Sequence, residues 1–122
     1  MLRIIGAQRS GEVATEFVLL QNQCALKTAL RGHVIILESA MHVGELCGPA
    51  HLFADDESIP SGAYVLLSTC AGTPHWSRSK DGSLLYCAFM NRQASVWDGH
   101  SPLHLLAPQH TYVERRELLL LA

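Results

Sequence analysis

Charged residues are scarce in this 122-residue chain: they make up 16% of the sequence, against 48% for apolar residues, and the formal net charge is −2. A composition this apolar argues against a disordered chain. The absence of a positive excess gives no support to nucleic-acid binding, which usually requires a basic surface. The length fits one domain with a core of its own, so we expect a single domain over residues 1–122.

Long apolar runs are also missing. No uncharged stretch approaches the roughly 20 residues that cross a bilayer, and the first residues lack the apolar segment and cleavage site of a signal peptide. The sequence therefore predicts a soluble, cytoplasmic protein with no transmembrane segment and no visible leader. Export stays open as an alternative if a leader has been removed.

Sequence signatures of common active sites are absent too. The four cysteines are Cys24, Cys47, Cys70 and Cys87. No C-x-x-C pair occurs among them, which excludes zinc-ribbon and thioredoxin-type spacings, and we interpret the thiols as reduced, with disulfides as the alternative. No Walker loop, Rossmann glycine motif or Gly-x-Ser-x-Gly elbow occurs. We expect no catalytic residues and no cofactor.

Histidine, by contrast, is abundant. The seven histidines are His33, His42, His51, His75, His100, His104 and His110. On a strand, His100 and His104 would lie about 13 Å apart, too far to share a metal ion. Loops leave two combinations open: His75 with Cys70, and His51 with Cys47 and the acidic residues 55–57. We nevertheless predict no metal site, and we interpret residues 55–58 as a solvated turn because calcium-loop spacing is missing.

Short β-type segments separated by turns fill the chain. Residues 16–22 form the most strongly strand-like stretch, and we predict that they make a buried central strand. The other predicted strands are residues 2–7, 30–38, 51–53, 63–69, 84–89, 94–97, 103–106 and 111–115. Gly32 is interpreted as a bulge or a close backbone approach, and residues 59–62 as a turn.

Irregular segments are predicted between these strands. Residues 39–49 are expected to form a loop with a short helical turn at residues 41–46, and residues 70–81 form a long irregular segment. Asp98-Gly99 is a hairpin signal. The pattern indicates an all-β fold with little or no helix, built as a sandwich of about eight or nine strands.

Four motifs in a fixed order resemble a known family. They are Glu16-Phe17-Val18-x-Leu20-x-Asn22, Leu30-x-Gly32-x-x-Ile35, Ile59-x-x-Gly62-x-Tyr64-Val65-Leu66, and Val96-Trp97-Asp98-Gly99 leading into Leu103-x-Leu105-Leu106. From about residue 3 to residue 113 the chain resembles the lamin-tail domain, an immunoglobulin-like β-sandwich. It departs from that family at His33, where an aromatic residue is usual, and at Leu19, where an acidic residue is usual.

The resemblance implies an interaction module without chemistry of its own, since lamin-tail domains bind protein partners and, in nuclear lamins, chromatin. Leu19 would then place an apolar side chain on a face that water should cover, so we expect a partner or another copy there. Trp97 is predicted to lie in the core. Trp76, beside Arg78 and Lys80, is the second candidate contact, with packing of its ring back onto the sandwich as the alternative. Arg78 and Lys80 would be the contacts for a nucleic acid.

The C-terminal leucines are the third candidate contact. Leu118, Leu119 and Leu120 belong to a run of four leucines, which we interpret as a homo-oligomer contact, with docking on the same chain as the alternative. The predicted function is a non-enzymatic binding module for a protein partner, with a nucleic-acid or membrane-associated partner as the alternatives. The alternative is a small metal-binding protein or metal-dependent hydrolase that uses loop histidines and cysteines, and elemental analysis for stoichiometric zinc would distinguish the two.

Overall fold

A computed structural model describes residues 1–43 and 49–108, with the backbone alone for residues 42 and 43. This part of the chain consists of short strands and one six-residue helix. The elements are β1 (Leu2–Gln8), β2 (Phe17–Asn22), β3 (Thr28–Ala29), β4 (Val34–Leu37), α1 (Glu38–Val43), β5 (Ala50–Leu52), β6 (Ser58–Ile59), β7 (Tyr64–Ser68), β8 (His75–Arg78), β9 (Leu84–Phe89) and β10 (Leu103–Leu106). The strand predicted at residues 111–115 lies outside the described residues.

The strands of residues 1–43 and 49–108 form three sheets. A five-stranded sheet has the order β1-β2-β7-β9-β8, a three-stranded sheet the order β10-β4-β5, and β3 pairs with β6. All neighbours are antiparallel except β7 and β9, which run parallel. This arrangement confirms the prediction of an all-β fold with little helix, and β2 is an interior strand as expected. The immunoglobulin-like sandwich stays a prediction.

One face of the five-stranded sheet packs on the hydrophobic core. Val18 and Leu20 of β2 are fully buried, and Leu20 lies opposite the buried Val65 of β7. The core is completed from outside this sheet by Leu30, Ile35, Ile36, Phe53, Ile59 and Trp97. Because burying one large apolar side chain contributes about 1.5–3 kcal/mol, these residues are the main source of stability. The predicted burial of Trp97 is confirmed.

The segment at residues 94–97 is not the strand that we predicted. Its backbone is irregular, and the N–H groups of Val96 and Trp97 donate to the Glu16 carboxylate instead of to a neighbouring strand. The Asp98-Gly99 hairpin is therefore wrong as well, since no strand precedes it. A side-chain acceptor that lies 80 residues away in sequence replaces the expected sheet partner.

The predicted loop at residues 70–81 contains a strand. β8 pairs with β9 at the edge of the five-stranded sheet, and all four of its residues are exposed. An edge strand needs only one hydrogen-bonded neighbour, so a polar sequence such as His-Trp-Ser-Arg suffices. The prediction of an irregular segment was wrong here because it relied on the pattern of apolar residues, which an exposed edge strand does not need.

Gly32 lies in a tight turn between β3 and β4. Its φ is +92°, a left-handed conformation that glycine adopts at little cost, and His33 N–H donates to the carbonyl of Leu30 across the turn at 3.2 Å. A Cβ at this position would lie 3.1 Å from Cγ of Pro108. The interpretation of Gly32 as a close backbone approach is therefore confirmed, and the alternative of a bulge is wrong. The strand predicted from residue 30 begins only at Val34, after this turn.

Candidate functional site

The outer face of the five-stranded sheet, opposite the core, carries apolar side chains where a solvated sheet would carry polar ones. Side chains alternate between faces along a strand, so burial of Val18 and Leu20 turns Leu19 outward. Leu19 lies opposite Leu66 of β7, and Tyr64, two residues before Leu66, is paired with Leu85 of β9. The register therefore collects outward apolar residues from three adjacent strands.

These side chains line a groove of about 620 Å³, which we call the outer groove. Its floor is formed by Ile5, Phe17, Leu19, Tyr64, Leu66 and Leu85, and its rim by Ser79, Lys80 and Asp81. The volume lies within the range typical of ligand sites, which are lined mainly by apolar side chains with a few polar groups. Leu19, predicted from the sequence as an apolar side chain on an otherwise solvated face, is thus part of a continuous surface.

A bulge in β1 supplies one wall of the outer groove. The pairing of β1 with β2 shifts register between Ile4 and Gly6, so that Ile5 is an extra residue next to the Gly6–Leu19 pair. A bulge of this kind redirects a side chain. Ile5 remains 43% exposed, and Gly6 has no side chain that would compete for the space. The bulge therefore adds an exposed aliphatic group beside the half-buried Leu19.

The rim is a tight turn between β8 and β9. The Asp81 carboxylate accepts hydrogen bonds from the Ser79 hydroxyl and from the Ser83 backbone N–H, the latter at 3.0 Å. These donors lower the pKa of Asp81 to about 2. Gly82, at φ +86°, donates to the Ser79 carbonyl at 3.0 Å and closes the turn. The turn holds Lys80 at the edge of the outer groove, where its side chain is exposed.

Lys80 is the positive group on this rim. Within residues 1–43 and 49–108, the only ion pair joins His104 to Glu38 at 3.2 Å. Lys80 therefore has no carboxylate partner in that part of the chain. An apolar floor with one available ammonium group suits an apolar ligand that carries a carboxylate.

Trp76 and Arg78 do not share this surface with Lys80. Trp76 is paired with Tyr86 and Arg78 with Leu84, whereas Leu85 faces the outer groove. The predicted contact patch Trp76-Arg78-Lys80 is therefore divided between the two faces of the sheet. Arg78 also donates to the Gly82 carbonyl at 2.8 Å, so its guanidinium supports the turn.

Trp76 packs against the edge of the core and is 37% exposed. Its ring centroid is 5.1 Å from that of Tyr86, and its Nε1–H donates to Glu57 at 3.2 Å. The Tyr86 hydroxyl donates to Asp55 at 2.7 Å, and burial, then this hydrogen bond, raises the pKa of Tyr86. The predicted solvated turn at residues 55–58 is therefore wrong for Asp55 and Glu57, which hold two aromatic side chains in place.

Sequence reasoning gave no role to the carboxylate of Glu16, which is only 1% exposed. It accepts hydrogen bonds from the hydroxyls of Thr69, at 2.8 Å, and Ser95, and from the backbone N–H groups of Val96 and Trp97 at 2.9 and 3.1 Å. Four donors satisfy a buried charge. This site is structural, and the only sequence signal for it was a carboxylate directly before an apolar strand.

The candidate metal ligands that the structure describes do not converge into a group of three. No group of three or more His, Cys, Asp or Glu side chains that could hold a metal ion occurs within the described residues. His75 Nδ1 donates to the Thr73 carbonyl at 2.8 Å, and the His75 ring stacks on Phe89. Burial lowers the pKa of His51, whose ring meets Phe53 edge-on at 4.8 Å. The combination of His51 with Cys47 includes a residue outside the described part.

The remaining site predictions have separate outcomes. Cys24, Cys70 and Cys87 are free thiols. Leu118, Leu119 and Leu120 lie outside the described residues.

Over the part of the chain that the structure describes, no helix has the length and apolar character that crossing a bilayer requires. Comparison with family models, with curated proteins and with solved structures found no match to this chain.

Proposed function

We propose that this chain is a non-enzymatic interaction module of lamin-tail type that binds a protein partner through the outer groove. The observation that carries the proposal is the group of six apolar side chains on the sheet face that points away from the core and towards solvent. Exposed apolar surfaces of this kind, rimmed by polar residues, commonly mark protein interaction sites. The ordered motifs that resemble lamin-tail domains support the same class of function.

The shape and charge of the groove define the partner. A concave apolar surface accepts a narrow segment with aliphatic or aromatic anchors, as in other peptide-recognition grooves. Lys80 favours a segment with an acidic residue next to those anchors. The net charge of −2 and the use of Arg78 within its own turn both argue for protein over nucleic acid as the partner.

Quantitative affinity capture tests the proposal with variants of the whole chain. Leu19→Asp places a charge on the groove floor, and Lys80→Glu reverses the charge on its rim. Leu26→Asp is the matched control, because Leu26 is a leucine with 74% exposure that does not line the groove. Each variant is first shown by its melting temperature to be folded.

We expect a defined set of proteins from the native proteome to bind the unmodified chain and the Leu26→Asp variant. The same proteins should be reduced at least about tenfold with Leu19→Asp, since burying an unpaired charge costs several kcal/mol. Equal recovery with Leu19→Asp and Leu26→Asp would show that the outer groove is not the binding surface.

A further inference from the structure

β8 is the last strand of the five-stranded sheet. Within residues 1–43 and 49–108 it pairs with β9 alone, and all four of its side chains are exposed. The side of β8 that faces away from β9 is called the β8 edge below. An open strand edge presents backbone N–H and C=O groups that can pair with a further strand. The β8 edge is therefore a binding surface distinct from the floor of the outer groove.

The hydrogen-bond pattern shows which backbone groups lie at the β8 edge. The N–H of Ser79 donates to the Ser83 carbonyl at 2.9 Å, so these two residues form a hydrogen-bonded pair. Such pairs alternate with non-hydrogen-bonded pairs along an antiparallel ladder. Ser77 therefore directs its backbone groups toward β9, whereas the N–H and C=O groups of Trp76 and Arg78 point away from β9.

We propose that a second copy of the chain pairs with the β8 edge in antiparallel orientation, with Ser77 of one copy opposite Ser77 of the other. Trp76 of each copy then lies opposite Arg78 of the other, and each of these pairs exchanges both N–H···O bonds. The two five-stranded sheets join around a two-fold axis. The seam is short, so the dimer belongs to the weak, transient class of interface.

The neighbouring registers fit less well. Outward backbone groups must lie opposite each other, which limits the centre of a two-fold pairing to Trp76, Ser77 or Arg78. A centre at Arg78 places the two guanidinium groups opposite each other, and like charges in that position are destabilising. A centre at Trp76 places Pro74, which has no N–H to donate, opposite Arg78. The centre at Ser77 avoids both conflicts.

The side chains that face each other in this register are complementary. Trp76 packs on Tyr86 and its Nε1–H donates to Glu57, yet 37% of the tryptophan stays exposed. The guanidinium of the other copy can stack on this exposed ring, near the Glu57 carboxylate, which has no ion-pair partner in the described part of the chain. Arg78 keeps donors for this contact, because only one of its N–H groups binds the Gly82 carbonyl.

Disulfide trapping in the full-length chain tests the register. Ser77→Cys places two thiols opposite each other at a non-hydrogen-bonded pair, where the Cα atoms are about 4.5 Å apart and a disulfide can form. Ser58→Cys is the matched control, because Ser58 is also an exposed serine on a strand. The unmodified chain controls for the native cysteines. Each protein is equilibrated in a glutathione redox buffer, and the covalent dimer is measured by non-reducing electrophoresis.

We expect Ser77→Cys to form at least about tenfold more covalent dimer than either control, because pairing raises the effective concentration of the two thiols. A yield equal to that of Ser58→Cys overturns the proposal and leaves a different protein as the candidate occupant of the β8 edge. The proposed function is judged separately by Leu19→Asp. Leu19 belongs to β2, three positions from β8 in the strand order, so one proposal can fail while the other stands.

Sedimentation equilibrium up to millimolar protein concentration tests the facing side chains. Trp76→Lys places an ammonium group opposite Arg78 of the other copy, twice in each dimer, and should raise the dissociation constant at least about fivefold. Trp76→Lys/Arg78→Glu sets opposite charges across the seam and should reverse most of that loss, and melting temperatures show that each variant is folded. An unmodified chain that stays monomeric overturns the dimer. A constant unchanged by Trp76→Lys, or a double variant as weak as the single one, overturns the register.

Discussion

The carboxylate of Glu16 accepts a hydrogen bond from the backbone N–H of Trp97 at 3.1 Å. Both residues are buried, and they are separated by 81 positions in the chain. Because Trp97 is fully enclosed in the core, its backbone needs an acceptor that water cannot supply. Glu16 provides that acceptor at the start of β2. A buried charge therefore fixes an irregular segment that carries a large core side chain.

Glu16→Gln should destabilise the protein by about 1–3 kcal/mol. The amide keeps the size of the side chain, but hydrogen bonds to a charged acceptor are stronger than those to a neutral one. Urea denaturation monitored by circular dichroism measures the change. Glu12→Gln is the matched control, because the Glu12 side chain is exposed, and we expect it to stay within 0.5 kcal/mol of the unmodified chain. Equal stability of the two variants would contradict the structural role of Glu16.

The same carboxylate should make the protein sensitive to acid. Burial raises the pKa of Glu16, but its four hydrogen-bond donors outweigh burial and hold the pKa below the ordinary value of 4.5. Because the folded pKa is depressed, the stabilisation is present above pH 4.5 and is lost as the pH falls through the folded value. The free energy of unfolding, measured by urea titration at several pH values below 4.5, should fall less steeply in Glu16→Gln. Parallel curves would contradict this.

Period-two patterning of apolar residues was enough to predict the interior strands. β2, β7 and β9 lie within two residues of their predicted bounds. Each of these strands is rich in apolar residues, and the side chains on one of its faces pack on the core. β3, β6 and β8 were missed, since short or exposed strands depend on a neighbour's backbone and not on their own side chains. The strand predicted at residues 94–97 failed because the distant Glu16 competes for its backbone.

The candidate site was only partly visible in the sequence. Leu19 was noticed because an acidic residue was expected there. Lys80 was noticed because it lies four residues after Trp76 in a polar segment. Their association in one groove depends on the pairing of β2 with β7 and on the parallel pairing of β7 with β9, both of which are long-range features. Trp76 appeared close to Lys80 along the chain, but β8 places it on the other face. Sequence proximity was therefore a poor guide to the shared surface.

The two tryptophans should differ strongly in their access to solvent. Trp97 is fully buried, whereas Trp76 is 37% exposed. Acrylamide should therefore quench only part of the native fluorescence. Trp76→Phe should leave an emission that is blue-shifted and nearly resistant to quenching, because only the buried ring remains. Efficient quenching in this variant would mean that Trp97 is accessible to solvent.

Two glycines outside the left-handed region should respond in opposite ways to alanine. A Cβ added to Gly72 would overlap the ring of Phe89, whereas one added to Gly6 would meet nothing within 4 Å. Gly72→Ala must therefore displace a ring that stacks on His75, and overpacking of this kind costs about 1–3 kcal/mol. Gly6→Ala should be neutral or stabilise by up to about 1 kcal/mol, because alanine reduces the entropy of the unfolded chain. Chemical denaturation compares the pair directly, and a Gly72→Ala variant as stable as Gly6→Ala would show that the Phe89 ring does not pack against this loop.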